Sequence, residues 1–165
     1  MTSWLLVLSL LVVSTGSVLA EEKADAAARG LDEAFLKAAE AGDLAAVMAL
    51  YADDAEIIWP GLGEEAIGKK AIEPQARDFI AALKSGTKLS LKSVNARHLT
   101  PDLITNSGRW EETSTGPDGK PVTKILRTTE VSKKQGDKWV FVVDHASVGW
   151  PASPPAGAKP AGAPN

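Results

Sequence analysis

Two acid–base side chains stand next to each other near the end of the chain, Asp144 and His145, inside the apolar run Trp139-Val140-Phe141-Val142-Val143-Asp144-His145-Ala146. A carboxyl buried among apolar neighbours titrates away from its solution value, and an imidazole switches near neutrality, so proton chemistry would be sought here first. Side chains alternate along an extended strand. Val140, Val142, Asp144 and Ala146 therefore share one face, and Trp139, Phe141, Val143 and His145 share the other. Both faces are largely apolar, so each needs a cover: helices over one, and a second subunit over the face carrying Trp139 and Phe141. His145 then reads as an interface or core histidine rather than a catalyst. His98, in Val94-Asn95-Ala96-Arg97-His98-Leu99, has no partner at ligand spacing.

With two histidines, no His-x-His or His-Glu-x-x-His and no cysteine, no metal site is expected, nor a disulfide or thiolate nucleophile. No Ser-His-Asp order, phosphate-cradling glycine loop or dinucleotide fingerprint is present, so no cofactor is expected either. Asp53-Asp54 reads as a solvated turn that ends a helix. Phe35, Tyr51, Trp59 and Trp110 can line a hydrophobic ligand cavity, or can be plain core. Trp110 shares parity with Ile104 and Glu112, and the inward face of its strand stays open.

The elements that position these residues fall into two halves. Leu31, Phe35 and Ala38, extended backward by Ala24, Ala27 and Ala28, mark one amphipathic helix. Gly42 ends it and Asp43 caps a second, with the stripe Leu44, Val47, Met48 and Tyr51. Ala55–Trp59 reads as a strand stopped by Pro60-Gly61. A third helix spans about Lys69 to Lys84, with Ile72, Ala76, Phe79, Ile80 and Leu83 on its apolar face and Pro74 near its first turn, where a missing N–H is tolerated. Then the period changes to that of strands: Thr87–Leu99, Leu103–Thr115, Pro121–Lys133 and Lys138–Val148, with hairpin signals at Pro117-Asp118-Gly119 and Gln135-Gly136-Asp137. Helices first and hairpins afterwards predict an α+β fold, a strongly curved antiparallel sheet with three N-terminal helices on its concave face.

The 165 residues carry 18 basic and 21 acidic side chains, a net charge of −3, with 44% hydrophobic and 24% charged residues. That suits one globular domain and lacks the clustered positive footprint of a nucleic-acid surface. Residues 1–20 contain no charged side chain and include the run Trp4–Val13, followed by Val18 and Ala20 at signal-peptidase positions. They read as a secretory signal cleaved after Ala20, with a retained anchor as the alternative. The expected product is periplasmic or secreted and does not touch the membrane after cleavage. The domain then covers 21–150, and 151–165, rich in Pro, Ala and Gly, reads as a disordered tail.

Three segments in order carry a resemblance: Phe35-Leu36-Lys37-Ala38-Ala39-Glu40-Ala41-Gly42-Asp43-Leu44, then Tyr51-Ala52-Asp53-Asp54-Ala55, then Gly68-Lys69-Lys70-Ala71-Ile72, closed by Asp137-Lys138-Trp139 and its apolar strand. This pattern resembles the nuclear transport factor 2-like superfamily, in its SnoaL-like and ketosteroid-isomerase-like branch. The resemblance implies a cone-shaped α+β barrel whose open end forms a pocket, very often in a homodimer. It does not bring the isomerase residues with it. The isomerase tyrosine falls at Phe35 and the base before the strand-ending proline at Trp59. The acid of the penultimate strand falls near Arg127 to Thr129 by an ungapped count. Base and oxyanion donors are thus all missing, which argues against steroid isomerisation.

The same resemblance turns Asp144 into the cone, and with it the set Ile125, Arg127 and Thr129 of the preceding strand. Asp144 and Arg127 are then the candidate catalytic pair, a base or polariser and the group that holds it or a substrate oxyanion. Alternatively they are an ion pair that fixes the sheet. No second pocket carboxylate is evident. Three functions follow: an exported protein binding a small apolar or amphipathic molecule, with Phe35, Tyr51, Trp59 and Trp110 around it; a cofactor-free lyase, isomerase or hydrolase using Asp144; or a dimerisation module without a ligand.

Overall fold

The computed structural model describes residues 15–60 and 65–149, with side chains from residue 19 onward. The expected signal segment up to residue 14 and the Pro/Ala/Gly tail lie outside the described residues. Helix α1 (Thr15–Ala41) runs unbroken through the expected cleavage point at Ala20. Its buried stripe is Ala24, Ala28, Leu31, Asp32, Phe35 and Ala39. Gly42, at φ 72°, ends it: the N–H of Gly42 reaches the carbonyl of Ala39, and that of Asp43 reaches Ala38. This is the paired bond set of a left-handed helix cap, which a residue with a Cβ adopts only under strain. Asp43 in turn accepts the N–H of Ala46 at 2.9 Å and starts α2 (Leu44–Ala49).

Tyr51 does not continue the α2 stripe. It opens β1 (Tyr51–Ile58), because its backbone pairs with Phe141 of the last strand and that pairing overrides local helical period. Asp53 and Asp54 accordingly stand exposed within a strand rather than in a turn. The two-residue strand β2 (Ala66–Ile67) was not visible in the sequence, being too short to show a period. Helix α3 (Lys69–Lys84) follows, burying Ile72, Ala76 and Ile80. The remaining strands are β3 (Lys88–Thr100), β4 (Leu103–Thr115), β5 (Pro121–Gln135) and β6 (Lys138–Val148). They lie within two residues of the expected bounds.

The six strands form one curved open sheet in the order β2-β1-β6-β5-β4-β3. β3 to β6 are an antiparallel meander, and β1 joins β6 in parallel. β4 and β5 pair without interruption from Leu103↔Lys133 to Thr115↔Pro121. β5 and β6 do not. Gln135↔Lys138 through Ser132↔Phe141 is regular, and then Val131 pairs with Val143, so Val142 is an inserted residue, a β-bulge.

The bulge changes which side chains face inward. Had the pairing continued unbroken, Asp144 would stand opposite Thr129, beside Arg127. One inserted residue sets it opposite Glu130 instead and brings Phe141 onto the same face as Asp144 and Ala146. The inner face is therefore Leu126, Thr128, Glu130 and Ser132 on β5, all buried, while Arg127 and Thr129 are exposed on the outer face. This corrects the alternation read from the sequence. It also removes Trp139 and Phe141 from the expected subunit face: Phe141 is a buried core residue and Trp139 packs against the core.

Candidate functional site

Three rows cross the inner face of the sheet and build a cavity against α1 and α3. The first is Leu91–Trp110–Leu126, the second Val94–Gly108–Thr128–Ala146, and the third Ala96–Asn106–Glu130–Asp144. Gly108 is required in the second row, since a Cβ there would collide with the hydroxyl of Thr128 and press on Trp110 Nε1. The cavity has a volume of about 280 Å³, near the roughly 300 Å³ lower end of small-molecule pockets. Phe35 and Asp32 reach it from α1, Phe79 from α3, Trp59 from the end of β1, and Trp110, Thr128, Glu130, Phe141 and Asp144 from the sheet.

Aromatic rings form much of the wall. Phe35 stacks on Phe79 at 5.4 Å and meets Trp59 edge-on at 5.8 Å, while Trp59 and Phe79 lie 5.6 Å apart. These offset and edge-to-face contacts fix ring orientation beyond what apolar burial alone does.

At the floor the chemistry changes. Asp144, only 7% exposed, accepts the phenol O–H of Tyr51 at 2.7 Å and the indole N–H of Trp59 at 2.9 Å. Among the described residues both bonds end on Oδ2. Burial, followed by the nearby Glu130, pushes its pKa up, and the two donors pull it back, leaving it at about 7. Tyr51 is fully enclosed behind Asp144, and burial beside that carboxyl holds its phenol protonated, well above the usual range. Asp32, 1% exposed, lies against Glu130; burial first, then Glu130, raises it to about 9. Asp32 is thereby held as a carboxylic acid at neutral pH, against Glu130, which accepts the Asn106 amide N–H at 2.6 Å.

Three polar atoms of cavity-lining residues are buried without a partner among the described residues: Asp32 Oδ2, Thr128 Oγ1 and Trp110 Nε1. Buried polar groups are ordinarily hydrogen-bonded, so each is a place where a ligand or water is wanted. A donor N–H, a hydroxyl and a carboxylic acid thus belong to residues lining one cavity, together with a carboxyl pushed up to about 7.

The expected site residues divide. Asp144, Phe35, Trp59 and Trp110 line the cavity, and Tyr51 stands directly behind Asp144. Arg127 does not meet Asp144; it is exposed on the opposite face, where its guanidinium lies beside Gly149. His145 is exposed, and His98 packs near Trp139 with Nδ1 3.3 Å from the Thr100 carbonyl oxygen. One further expectation is overturned outright. A second pocket carboxyl exists, since Asp32 and Glu130 are both there, and a phenol, that of Tyr51, stands behind Asp144 and donates to it rather than to the cavity.

Both carboxyls had a signal. Asp32 is an acid on the buried face of α1, four residues after Ala28 and three before Phe35. Glu130 sits one residue past the point where the ungapped count stopped, the offset that the bulge introduces. Among the described residues no three of His, Asp and Glu are grouped so as to hold a metal ion.

Comparison with known proteins agrees with this architecture. A family model described as SnoaL-like domain matches residues 30–151. No curated protein matches. Among solved structures, a putative dehydratase from the NTF2-like family of Streptomyces avermitilis is similar, at 19% identity and a TM-score of 0.64 over 78% of this chain and 97% of that one. A ketosteroid isomerase-like protein from Erwinia carotovora atroseptica gives 21% identity and 0.59 over 77% and 97%. The association domain of C. elegans CaMKII gives 16% and 0.62 over 77% and 97%. At these identities the likeness establishes the fold.

Proposed function

The chain belongs to the SnoaL-like domain family, and from its cavity we propose that it takes up a small, largely apolar molecule and moves a proton on it without a cofactor, as a lyase or isomerase. One observation carries the reading: Asp144, held on Oδ2 by Tyr51 and Trp59, borders an aromatic cavity beside a second carboxyl, Asp32, whose surroundings keep it protonated. Two carboxyls with pKa values pushed apart are the arrangement that lets one act as base and the other as acid at a single pH. Asp144 takes the proton from a carbon of the substrate. Asp32 returns one to a different atom in an isomerisation, or to a departing hydroxyl in an elimination. Trp110 Nε1 and the Thr128 hydroxyl are free to bind the oxygen on which negative charge develops.

A desolvated carboxylate in an apolar cavity can be assayed before the natural substrate is known. 5-Nitrobenzisoxazole loses its ring C–H to such a base and opens to a coloured phenolate. The protein is expected to accelerate this opening, and Asp144→Asn to reduce kcat/KM at least about 100-fold, within the range general base catalysis supplies, while binding of the unreactive product analogue changes by less than a few-fold. Equal rates for the two proteins would remove Asp144 from the chemistry. The cavity would then belong to a binding protein, the second reading, which the aromatic wall supports.

In this account the protein acts outside the cytoplasm, periplasmic or secreted, after cleavage behind Ala20; the apolar run of residues 4–13 is the support. It also works as a homodimer. The half-buried Ile125, Val131 and Val143 lie on the outer sheet face, and a domain built for association shares the fold. Sedimentation at micromolar concentration is expected to give twice the chain mass, and a single monomeric boundary would refute the pairing.

A further inference from the structure

The cavity has a charge as well as a shape. Five of its described lining residues, Asp32, Asp78, Glu112, Glu130 and Asp144, are acidic and none is basic. At the mouth this is unremarkable in energy, because Asp78 is exposed and Glu112 has Lys124 at 3.5 Å. The floor is different. Asp32, Glu130 and Asp144 take part in no ion pair among the described residues, and the cation that acts on Asp32, Arg29, is exposed and turned toward Glu33. Three carboxyls buried together without a cation are costly to fold whenever they ionise. A site that selection keeps in this state gains if its occupant brings the missing charge.

Two further features point to what that occupant is. Thr128 Oγ1, in a residue 8% exposed, lies on the same wall with no partner and can accept a hydrogen bond, as can Asp32 Oδ2. Beside them stand the rings of Phe35, Trp59 and Trp110. Aromatic faces attract a cation by their quadrupole, most strongly where water is excluded. Acceptors, negative charge and ring faces around one cavity are the surroundings an ammonium group selects. A neutral hydrocarbon gains nothing from the carboxyls, and an anion is repelled by them.

We infer that the molecule held in this cavity carries a cationic nitrogen: an alkyl- or arylalkylamine whose ammonium rests on the floor formed by Asp32, Glu130 and Asp144, with its apolar remainder against Leu89, Leu126 and the aromatic wall. This rests on the reading of the cavity as a small-molecule site and narrows its substrate class. It also assigns the carboxyl that the acid–base pair does not use, with Glu130 binding the charge while Asp144 faces the reacting carbon and Asp32 keeps its proton.

Benzyltrimethylammonium and neopentylbenzene have the same shape and differ by one positive charge. Their binding to the full chain can be followed by tryptophan fluorescence, since Trp59 and Trp110 line the cavity. At pH 8 the cation is expected to bind at least tenfold more tightly. At pH 5, where Asp144 takes up a proton and Asp32 already holds one, the preference is expected to shrink to about threefold or less. Glu130→Gln should lower the preference at pH 8 while leaving neopentylbenzene affinity within twofold; should that variant fail to fold, the pH comparison on the unaltered chain decides.

Equal or tighter binding of the neutral probe overturns the inference. If nitrobenzisoxazole opening still depends on Asp144, only the charge assignment fails. If neither probe binds and that dependence is absent too, the small-molecule reading falls with it.

Discussion

Carboxyls on the two sides of this sheet are treated in opposite ways. At the surface of β1, Asp53 and Asp54 are exposed, and each has its own lysine: Lys69 lies 2.9 Å from Asp53 and Lys133 lies 3.1 Å from Asp54. The Lys133 hydrogen bond holds Asp54 below the usual carboxyl range. On the inside, Asp32, Glu130 and Asp144 have neutral donors and one another, and Asp32 and Asp144 are pushed up instead. The fold has lysines to spare, yet among the described residues none lines the cavity. Outside, charge is paired where pairing is cheap and contributes little; inside, it is left unpaired where that costs stability, which is the signature of a site rather than of a scaffold.

The largest consequence of that contrast is a stability that falls as pH rises. A carboxyl whose folded pKa is raised binds its proton more tightly in the native state. Its contribution is therefore complete below its unfolded value near 4 and is lost as pH climbs through the folded value. For Asp144 that window ends near 7 and for Asp32 near 9. Each group contributes a slope of at most about 1.4 kcal/mol per pH unit inside its window. Urea unfolding at pH 5, 7 and 9 should show a progressive loss of stability, against the common pattern in which paired surface acids keep proteins stable into the neutral range. Asp32→Asn, whose amide can still donate to Glu130, should flatten the upper part of the curve and raise stability at pH 9 by about 1–3 kcal/mol. A curve that is level or rises between pH 5 and 9 would mean that the inner carboxyls are solvated after all.

A smaller effect separates the two donors' role from simple packing. Tyr51 lowers the Asp144 pKa by donating to the charged form, so its loss raises that pKa further. Tyr51→Phe keeps the ring against Phe35 and Phe141. The acid limb of the nitrobenzisoxazole pH–rate profile is expected to move upward by about one unit, with the plateau rate unchanged or higher because the base is stronger. A structural role alone would lower the rate at every pH without moving the limb.

Much of the fold was readable because its signals are local. The four long strands alternate over 11 to 15 residues and turn at glycines of positive φ, Gly119 and Gly136, which tight turns require. α3 carries its apolar stripe and its bounds in plain sight. The site was less readable for one identifiable reason. β4 and β5 keep register along their whole length, so parity carried across them puts Trp110, Leu126 and Glu130 on one face. β5 and β6 lose register at Val142, and nothing in Phe141-Val142-Val143 distinguishes the residue to be skipped, since all three are apolar and β-forming. That single insertion exchanged Thr129, with Arg127 beside it, for Glu130 as the partner of Asp144. Tyr51 was misplaced for a related reason, because its partner on β6 lies 90 residues away in sequence and no local period records it.

The smallest expected effect tests the outer half of the comparison. Lys133 is on β5, on the outer face, and among the described residues its ammonium pairs with the exposed Asp54 carboxylate alone, an ion pair that solvent and salt screen. Lys133→Met retains most of the aliphatic stem that packs along the sheet and removes the charge. It should leave the melting temperature unchanged within the error of a thermal scan, and should leave both the nitrobenzisoxazole rate and its pH profile as they were. The same scan on Asp32→Asn at pH 9 should shift upward by several degrees. If the lysine variant were instead the one to move the melt or the pH–rate profile, charge on the outside of the sheet would be coupled to the floor of the cavity through β5, and the division between a paired exterior and an unpaired interior would have to be redrawn along that strand.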